Sequence, residues 1–209
     1  MEIFNFVILS FWSLFVIVDP IGLVPAFLAM TENSGRKDRI RMAKLASIVT
    51  FFVLLLFALA GTVILKSFSI TIPAFEIAGG IILLKIALDM LQAKRTALKE
   101  TPEEQAEGSN KDDIAITPLA VPMLAGPGAI TAVVLLGQQS SSVLETFIVA
   151  INIFAVSAVT FLVLRIAASK SEIFSTITLK IISRLMGLLL AAIAVQFILN
   201  GLQDGLSIW

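Results

Sequence analysis

The sequence contains no cysteine, no histidine and no tyrosine, and only 14% of its 209 residues are charged. The absence of cysteine excludes disulfides and thiol redox chemistry, and with histidine also missing the usual ligands of transition metals and haem are absent. Basic and acidic residues balance at fifteen each, so no excess of positive charge favours a nucleic acid partner. We therefore expect no cofactor, no metal ion and no bound nucleic acid.

Apolar residues dominate instead, at 58% of the chain with a mean hydropathy of +1.00. A soluble domain carries about 25% charged residues, so this composition indicates a polytopic membrane protein. The amino-terminal apolar run has Glu2 but no lysine or arginine before it, and no small-residue cleavage site follows it. We expect that run to remain as a membrane helix, since a cleaved signal peptide needs both features.

Six apolar stretches approach or exceed the roughly 20 residues that cross a bilayer core. They lie near Ile3–Met30, Ile40–Leu65, Ile72–Leu91, Ile116–Gly137, Val143–Ile166 and Ile181–Leu202. The predicted fold class is therefore all-α, with six transmembrane helices. A polar stretch, residues 93–113, is predicted to be a flexible cytoplasmic linker between two three-helix units, residues 1–92 and 114–209.

The basic residues are distributed very unevenly among the connections. Thirteen of the fifteen follow the first, third and fifth predicted helices, and the exceptions are Lys66 and Lys85. Loops rich in lysine and arginine stay in the cytoplasm, so those three connections are predicted to be cytoplasmic and both termini to lie outside. The lipid bilayer is thus an expected partner, and the cytoplasmic membrane the expected location.

A repeat at one offset relates the two units. Pro20 and Pro127 differ by 127 − 20 = 107, and the same shift carries Gly80 onto Gly187 and Ala87 onto Ala194. Three helices per unit is an odd number, so the second unit enters the membrane from the opposite side. The sequence predicts a 3+3 inverted repeat, which is typical of secondary transporters.

The motif DPIG predicts a break in the first helix. Pro20 lacks an N–H group and clashes with the preceding turn, and the residue before a proline, Asp19, is disfavoured in helical conformation. We expect a second half-helix to start at or after Pro20 and Asp19 to cap its free N–H groups. A carboxylate inside the membrane is costly and is a functional candidate by default.

The motif AGPG predicts the equivalent break in the fourth helix. Gly126 and Gly128 flank Pro127 and allow backbone or ligand to approach closely, and Thr131 offers a hydroxyl to the same turn. In the inverted repeat the two half-helix N-termini would face each other near the midplane, where their positive dipole ends can hold a carboxylate. The alternative interpretation is that prolines merely kink membrane helices.

Three further polar residues lie within predicted membrane helices. Lys85 and Asp89 are four residues apart on one helical face, which suits either an ion pair or a proton or substrate path. Gln196 falls on Asp89 under the repeat (89 + 107 = 196), so we include it in the candidate path together with Asp19. Glu76 stands in the first turn of its helix, where a carboxylate complements the dipole.

The two motifs together resemble the MarC family of prokaryotic integral membrane proteins, which is similar to the SnatA transporters and to a wider superfamily that includes the LysE exporters. The resemblance covers essentially the whole chain. It implies an exporter or proton-linked carrier of small neutral amino acids such as glycine and alanine in the cytoplasmic membrane, with a small zwitterionic solute as partner. The implied substrate-binding residues are Asp19, Pro20, Gly22, Pro25, Gly126, Pro127, Gly128 and Thr131.

Other functional classes remain open in different degrees. An intramembrane hydrolase would need Asp19 and Asp89 to converge as an acid pair, and the sequence contains no HExxH or GxSxG motif, so we do not expect an enzyme. A channel is an alternative, because broken helices also line pores. A membrane scaffold without transport, or efflux of another small solute, are the others.

Overall fold

The computed structural model describes residues 3–92, 115–169 and 176–206, and every regular element in these ranges is helical. The all-α prediction is therefore confirmed, while the predicted linker 93–113 lies outside the described residues. In chain order the helices are α1 (Ile3–Val18), α2 (Val24–Met30), α3 (Arg36–Ser67), α4 (Ile72–Leu91), α5 (Ala115–Leu124, irregular), α6 (Pro127–Gln139), α7 (Val143–Ser169) and α8 (Thr176–Leu206).

Three of these helices are long and apolar enough to cross a membrane, namely α3, α7 and the Ile181–Leu206 portion of α8. The other helices meet the requirements of length and apolar composition less clearly. Helix α4 has 20 residues but carries three charged side chains, and α1 has only 16 residues, about 24 Å at 1.5 Å per residue. The membrane character predicted from composition is confirmed, and the arrangement of six spans stays a prediction.

Large apolar side chains cover the outward faces of the long helices. On α3 they recur every three or four residues and are 57–64% exposed, at Phe52, Leu56, Leu59 and Val63. A soluble monomer rarely exposes contiguous apolar surface of this kind. These faces are therefore suited to contact lipid rather than water.

The interior is built from side chains of helices in both halves of the chain. Leu14 of α1, Phe27 of α2, Leu119 of α5, Ile153 of α7 and Leu190 of α8 are all fully buried or within 1% of it. The first and second units therefore share one core.

The connection between α6 and α7 is joined to the first turn of α7, since Ser141 N–H donates to the Glu145 carboxylate.

Helices α3 and α7 run antiparallel and in register. At one end Arg36 Nε donates to Ser169 Oγ at 3.3 Å, and fifteen residues along each helix the rings of Phe51 and Phe154 lie 5.9 Å apart. On its other side, α7 is tied to α1 by Asn152, whose Nδ2 donates to Val7 O at 3.0 Å and to Ser10 Oγ at 2.7 Å. Asn152 thus acts as polar glue between helices.

Helices α4 and α8 also pack antiparallel, and glycines allow their close approach. A Cβ atom at Gly80 would lie 2.8 Å from Ala194 O, and one at Gly187 would lie 3.0 Å from Ala87 O. No other residue fits these positions without moving the partner backbone. A shift of 107 residues carries Gly80 onto Gly187 (80 + 107 = 187) and Ala87 onto Ala194 (87 + 107 = 194). The two contacts are therefore equivalent under the repeat.

The segment before the AGPG motif is more irregular than the single apolar span predicted from its sequence. Inside α5, Thr117 (φ −131°, ψ 121°) and Val121 (φ −130°, ψ 119°) are extended rather than helical. Each precedes a proline, Pro118 and Pro122, and a residue before proline is sterically pushed out of the helical region. The fourth predicted span is therefore interrupted three times instead of once.

Candidate functional site

The first break lies at the predicted position. Helix α1 ends at Val18, and Asp19 donates the last helical hydrogen bond, from its N–H to Phe15 O at 3.0 Å. Asp19 itself has a positive φ of 46°, so the chain turns sharply there before Pro20. Helix α2 begins at Val24, four residues after the proline, and contains only seven residues.

The Asp19 carboxylate is held within this turn and is only 7% exposed. Its Oδ1 accepts a hydrogen bond from Gly22 N–H at 3.0 Å. The sequence predicts that this carboxylate caps the new half-helix, but the N-cap of α2 is Leu23, which makes no side-chain capping bond. Asp19 therefore caps the turn rather than α2, because Gly22 folds back over it before the helix starts.

Gly22 has no room for a side chain. A Cβ atom there would overlap the Asp19 carboxylate and would lie 2.8 Å from Met90 Cε. The turn thus places Gly22 against α4 with its N–H group on Asp19. Pro20 is buried, whereas Pro25 is half-buried at the second position of α2.

The second break is formed by the AGPG motif. Gly126 is extended (φ −74°, ψ 171°) and has no side chain to cap the helix that follows, and Pro127 is the first residue of α6. Proline is favoured at this position because its missing N–H would have no helical partner. The Thr131 hydroxyl donates to Pro127 O at 2.9 Å, so it is satisfied within the helix.

Both breaks lie against one face of α4. A Cβ at Gly128 would overlap Leu83, and a Cβ at Gly79 would overlap Thr131, while Gly22 meets Met90. Leu83 and Met90 are seven residues apart, which is two helical turns or about 10 Å. Two motifs 107 residues apart in sequence therefore contact the same helix, at residues about 10 Å apart along its axis.

The order of these contacts gives the direction of α6. Thr131 lies at Gly79 of α4, and Gly128, nearer the start of α6, lies at Leu83, which is closer to Met90. The N-terminus of α6 therefore points along α4 towards the Asp19 turn. Its first-turn N–H groups carry partial positive charge and face the side of the molecule that holds a carboxylate.

No hydrogen bond or ion pair joins Lys85, Asp89 and Gln196, three residues of the predicted ion path, within the described ranges. Lys85 is exposed and Asp89 is half-buried, and no ion pair joins these two described residues despite their spacing. Gln196 is exposed and its Nε2 donates to Asn200 Oδ1 at 2.7 Å. Asp89 lies level with Gly187, so Gln196 is nine residues, or about 13 Å, further along α8.

Two further polar residues were not predicted from the sequence. Thr50 Oγ1 and Ser157 Oγ are buried, and neither has a hydrogen-bond partner in the described part of the chain. Other buried hydroxyls, such as those of Ser47 and Thr160, bond the carbonyl four residues back. The repeat offset could have revealed the pair, because 50 + 107 = 157.

Within the described ranges no cluster of acidic side chains could hold a metal ion. The site therefore consists of one buried carboxylate, an uncapped helix N-terminus and closely packed glycines. Such a site can hold a small charged or zwitterionic group by hydrogen bonds and dipoles. It offers no nucleophile with an adjacent base.

Comparison with known proteins assigns the chain to a family. The description "MarC family integral membrane protein" matches residues 4–206, which include both breaks and all the helices of the described ranges except for the first residue of α1. The chain belongs to the MarC family. No solved structure matches it significantly.

The MarC relatives come from archaea and bacteria. A membrane protein of Methanocaldococcus jannaschii is 42% identical over 202 residues, covering 97% of this chain and 89% of the relative. YvbG of Bacillus subtilis is 40% identical over 201 residues, covering 96% and 95%. YhcE of Escherichia coli is 34% identical over 195 residues, covering 92% and 90%. Their names call them membrane proteins and mention no substrate.

Proposed function

We propose that this protein is a secondary transporter of small neutral amino acids, such as glycine and alanine, in the prokaryotic cytoplasmic membrane. The observation that carries the proposal is the meeting of the two helix breaks on one face of α4. Broken membrane helices expose backbone groups that a ligand can satisfy. Pairs of such breaks mark the binding sites of transporters built from inverted repeats.

The chemistry of the two breaks is complementary to a zwitterion. The N-terminus of α6 would hold the carboxylate of the substrate through N–H groups near Gly128, and Asp19 would face its ammonium group. Hydrogen bonds of about 3 Å at each end, with about 3 Å between the charged groups of an α-amino acid, span about 9 Å. This length is close to the rise of about 10 Å along α4 between Leu83 and Met90, the residues that the two breaks contact.

The closed packing at the breaks favours a carrier over an open channel. Asp19 is buried, and Leu83 fills the space that a side chain at Gly128 would need. A solute could enter only if the breaks moved apart from α4. The proposed mechanism is therefore alternating access, in which one unit rocks against the other.

The contacts between α4 and α8 support the inverted repeat on which that mechanism depends. Gly80 contacts Ala194, and Gly187 contacts Ala87. In each contact a glycine of one helix meets the repeat equivalent of the alanine that the other glycine meets. Such self-complementary contacts arise at two-fold axes. An axis between α4 and α8 would let the two units exchange inward-facing and outward-facing conformations.

Flux measurements in proteoliposomes test this proposal. We expect saturable uptake of labelled glycine and alanine by the wild type and loss of that uptake in Asp19→Asn. The asparagine Oδ1 can still accept from Gly22 N–H, so the turn is retained. Asp38→Asn is the matched control, because it makes the same change in the first turn of α3, which is part of neither break.

The alternatives predict different results in the same vesicles. A carrier shows counterflow, in which unlabelled glycine inside accelerates the entry of labelled glycine, whereas a channel does not. A scaffold shows no flux with any solute. Transport of another small solute, with no flux of glycine or alanine by folded protein, would refute the amino-acid assignment.

Asp19 has two possible roles that a pH gradient separates. If it carries a coupled proton, Asp19→Asn should still bind glycine while its exchange becomes insensitive to the gradient. If it contacts the ammonium group, binding and flux should be lost together. Binding by equilibrium dialysis, compared with counterflow at equal and unequal pH, distinguishes these outcomes.

A further inference from the structure

An apolar groove separate from the polar groups of the breaks lies between α3, α4 and α6. Its volume is about 300 Å³, and the residues that line it expose no polar atoms. The carboxyl-terminal half of α3 and the residue that caps it contribute Phe57 and Phe68, the first half of α4 and its middle contribute Phe75 and Ile82, and α6 contributes Ile130. A zwitterion would find no hydrogen-bond partner there, so this groove is not the proposed substrate site.

The polar residue nearest the proposed site contributes only apolar atoms to this groove. Thr131 lines it, but its hydroxyl is engaged by Pro127 O. Two of the residues that line it lie after the end of α3 and are well exposed, Phe68 at 72% and Ile70 at 41%. In an integral membrane protein such exposed apolar side chains face lipid.

A single basic residue stands at the end of the groove. Lys66 is exposed in the last turn of α3 and lines a second recess that shares Leu65 and Ile70 with the groove. Ser69 and Thr71 line the same recess and add hydroxyl groups. Lys66 is the only basic residue in the connections that the charge pattern places outside, and an exposed lysine at a membrane surface attracts an anionic lipid headgroup.

The dimensions match one leaflet of a bilayer. From Lys66 back to Phe57 is nine residues of α3, or about 13 Å. The hydrocarbon of one leaflet is about 15 Å deep, half of a core of about 30 Å. A charge at the membrane surface and an apolar groove that descends one leaflet are the two features that a phospholipid needs.

We propose that this groove binds one acyl chain of an anionic phospholipid of the outer leaflet, with the lipid phosphate held by Lys66. The chain would lie against Pro127 and Thr131, the first turn of α6. Its binding is independent of whether the protein transports amino acids. A lipid in this place would nevertheless stabilise the packing of the second break against α3 and α4.

Quenching of a tryptophan by brominated lipid tests the proposal at the groove itself. Trp12 and Trp209 are replaced by phenylalanine, and Phe68→Trp supplies the reporter in vesicles of phosphatidylglycerol or phosphatidylcholine brominated on the acyl chain. We expect quenching to show about a fivefold preference for phosphatidylglycerol, as one lysine near a membrane surface gives. Lys66→Gln should abolish that preference.

The matched control places the reporter on the same helix outside the groove. Phe52→Trp lies on the lipid-facing side of α3 and should show equal quenching by the two lipids. Native mass spectrometry of the wild type and Lys66→Gln, which needs no reporter, should show a retained phosphatidylglycerol molecule lost in the variant. Equal quenching at position 68, or a preference that survives Lys66→Gln, would overturn the proposal.

Discussion

At the scale of residues, the amino acid before each proline explains much of the irregular structure. Thr117 and Val121 precede prolines and are extended, as steric restriction of that position requires. Asp19 also precedes a proline but takes a positive φ instead. Aspartate tolerates this conformation better than most residues because its short carboxylate can bond the local backbone, here Gly22 N–H.

Substitution of Asp19 should separate structure from function. Asp19→Ala loses the bond to Gly22 and places alanine at a left-handed position, so we expect it to lower the free energy of unfolding by about 2 kcal/mol. Asp19→Asn keeps an acceptor and should cost less than about 1 kcal/mol. Thermal unfolding in detergent measures both, and equal losses would show that the hydrogen bond does not stabilise the turn.

The unpartnered hydroxyls give a second prediction at this scale. A buried hydroxyl without a hydrogen bond costs about 1–3 kcal/mol, so Thr50→Val and Ser157→Ala should raise thermal stability. The matched control, Thr160→Val, removes a hydroxyl that bonds Val156 O at 2.8 Å and should not stabilise the protein. Destabilisation by both test variants would mean that Thr50 and Ser157 have partners.

At the scale of elements, the sequence predicted which segments are helical better than it predicted how they face one another. Run length and proline positions placed the breaks at Asp19 and Gly126. The contact of both breaks with α4 could not be predicted, because local sequence sets the breaks but does not say which distant helix packs against them. The two prolines, Pro118 and Pro122, are themselves a local signal for the interruptions before them. The apolar run around them nevertheless favoured the prediction of one continuous span.

The exchange contact between α4 and α8 predicts matched effects of two substitutions. Gly80→Ala and Gly187→Ala each bring a Cβ against a backbone carbonyl of the other helix, so both should destabilise by about 1–3 kcal/mol through overpacking. Gly205→Ala on α8 is the control, since its Cβ would lie 3.7 Å from Pro73 in ordinary contact. Unfolding in detergent with increasing denaturant compares the three, and a neutral Gly80→Ala would contradict the close packing.

At the scale of the whole molecule, charge distribution and composition carried most of the prediction. Membrane character followed from apolar content and is confirmed by three long apolar helices and by the family. Orientation rests on the lysine and arginine pattern alone and stays a prediction. The Lys85 and Asp89 pair shows the limit of such reasoning, because helical spacing permits an ion pair but side-chain packing decides whether it forms.

Orientation can be tested directly because the chain contains no cysteine and needs no cysteine-free background. Asn33→Cys, between α2 and α3, should react with a membrane-impermeant maleimide only after permeabilisation of cells. Ser141→Cys, between α6 and α7, should react in intact cells. Both positions are exposed, so the reverse pattern would invert the proposed topology.

In the proposed mechanism, the N-terminus of α6 and Asp19 together hold an α-amino acid by its two charged groups. Counterflow of labelled glycine in proteoliposomes, with competitors of matched size, tests it most directly. We expect unlabelled alanine to compete, whereas glycinamide, which lacks the carboxylate, and acetate, which lacks the ammonium group, should not. Competition by glycinamide equal to that by alanine, or the absence of any glycine counterflow, would refute this mechanism.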